Sequence, residues 1–213
     1  MNELIVRTLS GAVMMAVALL AVFKGGYVFA IFVGIIATLI FYEWSRIVRT
    51  WGSGWKIAGF FYALIPALAL LWIRERGDLA KWVPSLLIWV LIVTWATDIG
   101  AYFAGRRFGK RKLAPAISPN KTVEGLYGGM AVATMMSAGW VLLVGLPMLL
   151  IVVAPVFAAV AQGGDLFESW MKRKAGVKDS GNLLPGHGGV LDRLDGLVPV
   201  AVLTALLQIA GLI

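Results

Sequence analysis

The sequence has no cysteine, one histidine and few charges, and each of these shortages excludes a class of protein. Without a thiol, the 213 residues can form neither a disulfide nor a thiolate nucleophile. One histidine and no cysteine cannot build a zinc site. Charged residues make up 14% of the chain, against about 25% in an average soluble domain, whereas hydrophobic residues make up 60%. This composition indicates an integral membrane protein without a separate soluble module.

Seven apolar runs approach the roughly 20 residues that a helix needs to cross a bilayer. They lie at about 4–23, 27–43, 57–73, 83–104, 124–145, 148–162 and 197–212. The first run lacks a small-residue cleavage site, so we interpret it as a span and not as a signal peptide. Glycine, alanine and serine in the fifth run predict a tightly packed helix interface. The sequence therefore predicts an all-α integral membrane protein, a polytopic bundle of about seven transmembrane helices.

Basic residues are distributed unevenly between the loops that join these runs. With the N-terminus inside, the inner loops 44–56, 105–123 and 163–196 carry fourteen basic residues, and the outer loops carry four. Positive charge in short loops marks the cytoplasmic side of a membrane protein. We therefore expect the N-terminus and the polar loops to be cytoplasmic. Such loops and their contact with anionic lipid explain the net charge of +8, and we expect no nucleic-acid partner.

The stretch 162–196 is strongly polar in an otherwise apolar chain. It contains the only histidine, His187, and five of the eleven acidic residues. These acids are Asp165, Glu168, Asp179, Asp192 and Asp195. Charges close to a bilayer are costly, so such a cluster indicates a functional site. Carboxylates suit divalent metal ions, whereas lysine and arginine beside glycine-rich backbone suit phosphate.

Asp165, Asp192 and Asp195 are the candidate metal ligands. Asp192 and Asp195 are three residues apart and would share a face of a helix, and Gly188 and Gly189 before them permit close approach of a phosphate. Oxygen ligands of this kind suit one or two Mg²⁺ ions whose shell is completed by substrate phosphates. The alternative is a set of exposed ion pairs in a solvated loop. Its members would be Asp179, Lys178, Arg173 and Glu168.

A second polar region covers residues 94–125. Asp98 lies in an apolar helical stretch, either as a hydrogen-bonded packing residue or as an acid of a site. Lys121 and Thr122 fall near the start of the fifth span, where free backbone N–H groups attract phosphate. An ordinary capping segment, with Glu124 in the first turn of the helix, explains the same residues equally well.

Both polar regions resemble one protein family. The pattern S-x-x-K-R-x4-K-D, then P-G-H-G-G-x-x-D-R-x-D, over 169–195 closely resembles the signature of phosphatidate cytidylyltransferases (CDP-diacylglycerol synthases). The T-D-x-x-A-Y helix at 97–102, followed by S-P-N-K-T-x-E-G at 118–125, resembles the second characteristic stretch of that family. Asn120 departs from it, because the family commonly has lysine there. Family members are also commonly longer, so we expect this chain to lack one or two N-terminal spans.

The resemblance implies an Mg²⁺-dependent nucleotidyltransferase of the bacterial inner membrane, acting as a homodimer in phospholipid synthesis. Its reaction would join CTP and phosphatidate into CDP-diacylglycerol and release pyrophosphate. Residues 1–90 would form N-terminal helices, and 91–213 the catalytic region with motif loops 94–125 and 162–196. Besides the three metal ligands, the implied catalytic residues are Lys172, Arg173, Lys178 and Asp179. The implied substrate-binding residues are Asp98, Ser118, Lys121, Thr122, Glu124, Ser169, His187, Gly188, Gly189 and Arg193. Because a phosphate monoester is already anionic, we do not expect His187 to be an obligatory base.

Other functions remain open at this point. A CTP-dependent lipid or polyprenol kinase would release CDP instead of pyrophosphate, and a synthase could act on an ether lipid. CDP-alcohol phosphotransferases also use an Asp-rich motif, but Asp195-Gly196 is not followed by the Ala-Arg of that family. An ion or phosphate transporter would distribute its acids through the depth of the membrane and often contain inverted repeats. Clustered charges without an evident repeat favour the enzyme.

Overall fold

The protein is a bundle of helices with one small β-hairpin. The computed structural model describes residues 3–76 and 84–213. The helices are α1 Glu3–Lys24, α2 Gly26–Ile47, α3 Ser53–Arg76, α4 Ser85–Phe108, α5 Val123–Val144, α6 Leu149–Lys174, α7 Leu191–Leu194 and α8 Leu197–Ile209. The strands are β1 Lys112–Ala114 and β2 Ser118–Thr122, which pair in antiparallel fashion.

Five of these helices are long and apolar enough to cross a membrane, namely α2, α3, α4, α5 and α6. Large apolar side chains on them point outward, as lipid contact requires: Ile31, Leu143 and Val152 are 64%, 77% and 71% exposed. The prediction of a helical membrane protein is confirmed. Of the seven predicted spans, the first and last correspond to shorter apolar helices, Thr8–Lys24 and Leu197–Ile209, so the count of seven is not confirmed.

Helix α6 does not end where the sequence predicted. The prediction of a loop from residue 163 onward is wrong for residues 163–174, because α6 continues to Lys174. Its buried residues include Ala161, Gln162, Glu168, Ser169 and Lys172. These residues recur at intervals of three, four and seven, which marks one buried face of a helix, so the charged residues continue the helix and do not end it.

The hairpin is a second departure from the all-helical prediction. It fills the connection between α4 and α5, and the backbone N–H of Val123 donates to the carbonyl of Arg111 where β2 passes into α5. The side chain of Thr122 caps α5 by accepting the N–H of Gly125 at 3.0 Å. A three-residue strand is too short to leave a periodic pattern in the sequence.

Helices α4 and α5 pack closely because small residues face each other. A Cβ on Gly100 would meet the carbonyl of Gly128, and a Cβ on Gly125 or Gly129 would meet the carbonyl of Ala101 or Thr97. Only hydrogen fits at these contacts. The prediction of a tightly packed fifth span is therefore confirmed.

The predicted inner loops meet at one end of the bundle. At that end Arg173 of α6 donates to the carbonyl of Ile117 in the hairpin, and Glu43 of α2 bonds to residues of the 175–190 loop. At the other end Arg74 of α3 donates to the carbonyl of Val22 of α1. All the polar segments singled out in the sequence therefore lie near one another.

Candidate active site

Lys121 is held at the junction of the hairpin and α5, facing α6. Its Nζ lies 2.6 Å from Oδ2 of Asp165 and 3.0 Å from Oε1 of Gln162. The Nε2 of Gln162 in turn donates to Oδ1 of Asp98 at 3.4 Å. A lysine, an amide and two carboxylates from α4, β2 and α6 thus form one polar network.

This network lines a cavity of about 590 Å³. Its polar walls include Asp98, Tyr102, Arg106, Lys121, Gln162 and Asp165. A volume in this range holds a small-molecule substrate. Cationic and anionic groups on the same wall suit a ligand that carries phosphate, with or without a metal ion.

A second charged group lies further toward the C-terminus of α6, beyond Asp165. Lys172 Nζ is 2.6 Å from Oδ1 of Asp192 and 3.3 Å from Oε1 of Glu168. The Lys172 and Glu168 side chains are only 11% and 1% exposed. Neither carboxylate oxygen of Glu168 accepts a hydrogen bond within the described residues. One buried lysine thus compensates two carboxylates.

Asp192 also organises the loop that precedes it. Its carboxylate accepts the backbone N–H groups of Ser180, at 2.9 Å, and of Gly189, at 2.8 Å. Burial acts to raise the pKa of Asp192, but the hydrogen bonds from Lys172 and Gly189 outweigh it and hold the pKa below the usual value. In this structure the Asp192 carboxylate is therefore fully engaged by protein donors.

Asp195 follows α7 and contacts α6. Burial, reinforced by the negative charge of Asp165, raises the pKa of Asp195 above its usual value. Asp195 lies close to this part of α6, because its backbone carbonyl packs against Gly164, the residue before Asp165. A Cβ on Gly164 would collide with the carbonyl of Asp195 and approach Pro199, so α6 needs glycine at this position.

Substitution by alanine is expected to have opposite effects on stability at the two adjacent glycines of α6. Gly164→Ala is expected to lower the free energy of unfolding by about 1–3 kcal/mol, because the new methyl group overpacks the contact with Asp195. Gly163→Ala has open space and should stabilise the helix by about 0.5–1 kcal/mol. Thermal unfolding of the detergent-purified variants measures both. Equal effects at the two positions would contradict the close contact.

The other predicted residues of the 162–196 stretch lie outside these two charged groups, with the exception of Ser169. Ser169 donates to Oδ1 of Asp165 at 3.2 Å and so supports the cavity. Arg193 donates to the carbonyl of His187, and the Nδ1 of His187 lies 3.0 Å from Oγ of Ser10 in α1. The remaining residues are exposed or bind backbone only. They are Arg173, Lys178, Asp179 and Gly188.

Two predicted residues of the hairpin region have structural partners. Glu124 accepts the backbone N–H groups of Lys110 and Arg111 and pairs with the Arg111 guanidinium at 3.3 Å. Ser118 pairs with Ala114 in the hairpin. The Glu124 contacts hold the residues before β1 against α5, and the Ser118 pairing holds the two strands together, so their effect on the cavity passes through Lys121.

The sequence did not identify Gln162 or Glu43. Each lies near the end of an apolar run, where a single polar residue is interpreted as the end of a membrane-spanning segment. Gln162 bridges Lys121 and Asp98, and Glu43 is fully buried against the 180–191 segment. The available signal was the position in the sequence, since a polar side chain at the end of an apolar run needs a hydrogen-bonding partner inside the bundle.

The acids fit Mg²⁺ only in the presence of further ligands. Among residues 3–76 and 84–213, no three acidic or histidine side chains are grouped closely enough to hold a metal by themselves. Mg²⁺ usually takes one or two carboxylates and completes its shell with water and substrate phosphates. Asp165 at the cavity wall, with the backbone of Asp195 packed against the adjacent Gly164, offers such a partial set.

These features define an integral membrane protein whose spanning helices form a charged, phosphate-compatible cavity at one end. The chain belongs to the cytidylyltransferase family, whose sequence model matches residues 51–210. The family predicted from the two motifs is thereby confirmed.

Several bacterial proteins named phosphatidate cytidylyltransferase are similar to the chain. That of Brucella suis is 46% identical over 177 residues, which cover 78% of this chain and 60% of the relative. That of Pseudomonas aeruginosa is 44% identical over 182 residues, covering 83% and 66%. That of Bacillus subtilis is 45% identical over 127 residues, covering 58% and 47%. The chain thus spans less than two thirds of the length of these relatives.

Proposed function

We propose that the chain transfers a cytidylyl group from CTP to phosphatidate, giving CDP-diacylglycerol and pyrophosphate. The observation that carries this proposal is the Lys121–Asp165 pair in a cavity at one end of the membrane-spanning helices. The names of the relatives indicate both substrates. A site at the end of the helices lets a lipid phosphate meet a soluble nucleotide while the acyl chains stay in the bilayer.

The proposed reaction requires that the two substrates are positioned correctly and that the charges of their phosphates are neutralised. A phosphate oxygen of the lipid attacks the α-phosphorus of CTP, a new P–O bond forms, and the bond to the bridging oxygen of the β-phosphate breaks. Pyrophosphate leaves with the electron pair. No base is required, because the attacking phosphate is already anionic. Fixed cationic groups near the transferred phosphorus lower the barrier by stabilising the developing charge.

The residues of the cavity have distinct roles in this proposal. Lys121 contacts the phosphates of the nucleotide, and Gln162 and Asp98 orient its ammonium group. Asp165 and Asp195 are the carboxylates that would hold Mg²⁺, whereas Asp192 keeps its bonds to Lys172 and to the backbone of the adjoining loop. Bound Mg²⁺ would neutralise the triphosphate and polarise the reacting phosphorus. Lys172 compensates the acids that remain buried.

We further propose that the protein lies in the bacterial inner membrane and that its cavity opens to the cytoplasm. The predicted inner loops carry most of the basic residues, and the structure brings them together at the end where the cavity lies. CTP is a cytoplasmic nucleotide, which agrees with this orientation.

Pyrophosphate release by the detergent-purified protein tests the proposed reaction. We expect release only when CTP, phosphatidate and Mg²⁺ are all present, together with a CDP-lipid product and inhibition by EDTA. CDP formation with a lipid alcohol would instead identify a kinase. No product from folded protein in either assay would reject both enzymes and favour a transporter.

The same assay in sealed membrane vesicles tests the orientation. CTP does not cross the bilayer, so external CTP should support the reaction in inside-out vesicles and not in right-side-out vesicles. Equal activity in right-side-out vesicles would reverse the proposed topology.

A further inference from the structure

Glu43 is a fully buried acid that lies outside the family match and has no role in the proposed chemistry. It stands near the end of α2 and is 0% exposed. Its Oε2 accepts the hydroxyl of Ser180 at 2.8 Å and the backbone N–H of Leu191 at 2.9 Å. Its Oε1 accepts the backbone N–H of Val190 at 3.0 Å. The carboxylate thus bonds to both ends of the 180–191 segment.

The segment is shaped around this carboxylate. A Cβ on Gly181 would lie 2.6 Å from Oε1 of Glu43, and a Cβ on Gly189 would collide with both Ser180 Oγ and the carboxylate. Glycine therefore stands at the two points where the backbone closes on Glu43. A side chain at either point would displace the acid or open the loop.

The hydrogen bonds to Glu43 satisfy backbone N–H groups of Val190 and Leu191 that would otherwise be unpaired. Helix α7 has a single turn and no side-chain cap of its own, and Val190 and Leu191 lie at its start. The N–H groups at the start of a helix need acceptors from elsewhere. Glu43 supplies them from another helix, and in the described part of the chain its hydrogen-bond donors are neutral groups. A buried carboxylate held this way is costly to disturb.

Ser180 links Glu43 to the charged group of α6. Its hydroxyl donates to Glu43 and its backbone N–H donates to Asp192, which also accepts the N–H of Gly189 and the ammonium of Lys172. The 180–191 segment is thus tied to a carboxylate on each side. If Glu43 released the segment, Asp192 and Lys172 would lose their fixed position.

We propose that Glu43 is a positioning residue, which holds the 180–191 segment so that Asp192 and Lys172 keep their geometry beside the reaction site. This inference rests on the proposed function. Glu43 itself does not touch the substrate, and it acts through Ser180, Val190 and Leu191. Residue 43 lies outside residues 51–210, so the family match does not assign it.

The test compares Glu43→Gln and Glu43→Ala with Ser137→Ala in the 213-residue chain. Ser137 is a matched control, because it is also fully buried and hydrogen-bonded, to Trp89 and Leu150, away from the charged groups. In Glu43→Ala we expect kcat for pyrophosphate release to fall about 10- to 100-fold, the usual effect of losing an outer support of a site. KM for CTP should change far less. Glu43→Gln keeps the shape and one acceptor oxygen and should lose less.

Hydrogen–deuterium exchange gives a readout that does not depend on activity. The peptide covering 180–191 should exchange faster in both Glu43 variants, while α4 and α5 keep their protection. Ser137→Ala should lower the unfolding temperature without a fall in kcat or faster exchange at 180–191.

Several results would overturn the proposal. Unchanged exchange at 180–191 would show that Glu43 does not hold the segment. Faster exchange with wild-type kcat would show that the segment does not position the reaction, and an equal loss of kcat in Ser137→Ala would show a general effect of stability. If the wild-type protein releases no pyrophosphate, the proposed function fails, whereas the exchange data still decide whether Glu43 holds the loop.

Discussion

Asp165→Asn is expected to reduce pyrophosphate release by about 10²- to 10³-fold, the usual loss when one electrostatic group of an active site is removed. The change keeps the size of the side chain but removes the charge that pairs with Lys121 at 2.6 Å and that would hold Mg²⁺. The ammonium of Lys121 would then lose its fixed direction in the cavity. Steady-state kinetics with CTP and phosphatidate, at several Mg²⁺ concentrations, measures the loss.

Glu75→Gln is the matched control for this experiment. Glu75 is an exposed acid at the far end of α3, so its neutralisation changes the net charge equally without touching the cavity. We expect it to keep wild-type activity. Activity above half of wild type in a folded Asp165→Asn protein would mean that the cavity beside Lys121 is not the reaction site.

Lys172→Ala is expected to destabilise the protein by about 3–5 kcal/mol, as removal of one partner of a buried ion pair does. The lysine compensates Glu168 and Asp192, whose carboxylates lie 3.3 Å and 2.6 Å from its Nζ. Without it, two buried carboxylates face each other with no cation between them. Thermal unfolding in detergent measures the effect.

Lys174→Ala separates this effect from the general loss of a lysine in α6. Lys174 is exposed and lies 4.6 Å from the Trp51 ring centroid and 5.2 Å from that of Trp170. Loss of an exposed cation–π contact costs about 0.5–1 kcal/mol. If the two alanine variants unfold at the same temperature, the buried ion pair is not the reason for the stability of this region.

The limits of sequence reasoning are clearest in α6. Hydrophobic runs located its membrane part, because a bilayer demands long apolar segments in the chain itself. The same rule ended the span at 162, where charges begin, although the helix continues to Lys174. Charged residues can remain in a helix when they share a buried face. The charges on that face of α6 are paired only because Lys121 and Asp192, from other elements, pack against it.

The motifs identified the charged residues and the family, since residue types and spacing are preserved in the order of the chain. The spacing could not show which residues would meet. Lys121 and Asp165 are separated by 44 positions, and Glu43 and Ser180 by 137, yet each pair is in direct contact.

The sequence by itself determined the membrane class, most of the spans, the family and a set of charged candidates. Each of these depends on composition or on local spacing. Only the tertiary structure decided that the Asp192 carboxylate accepts from Lys172 and backbone N–H groups, that Gln162 hydrogen-bonds to Lys121, and that Glu43 hydrogen-bonds to the 180–191 segment. Those contacts join residues that are distant in the chain, and the packing of the helices determines their geometry.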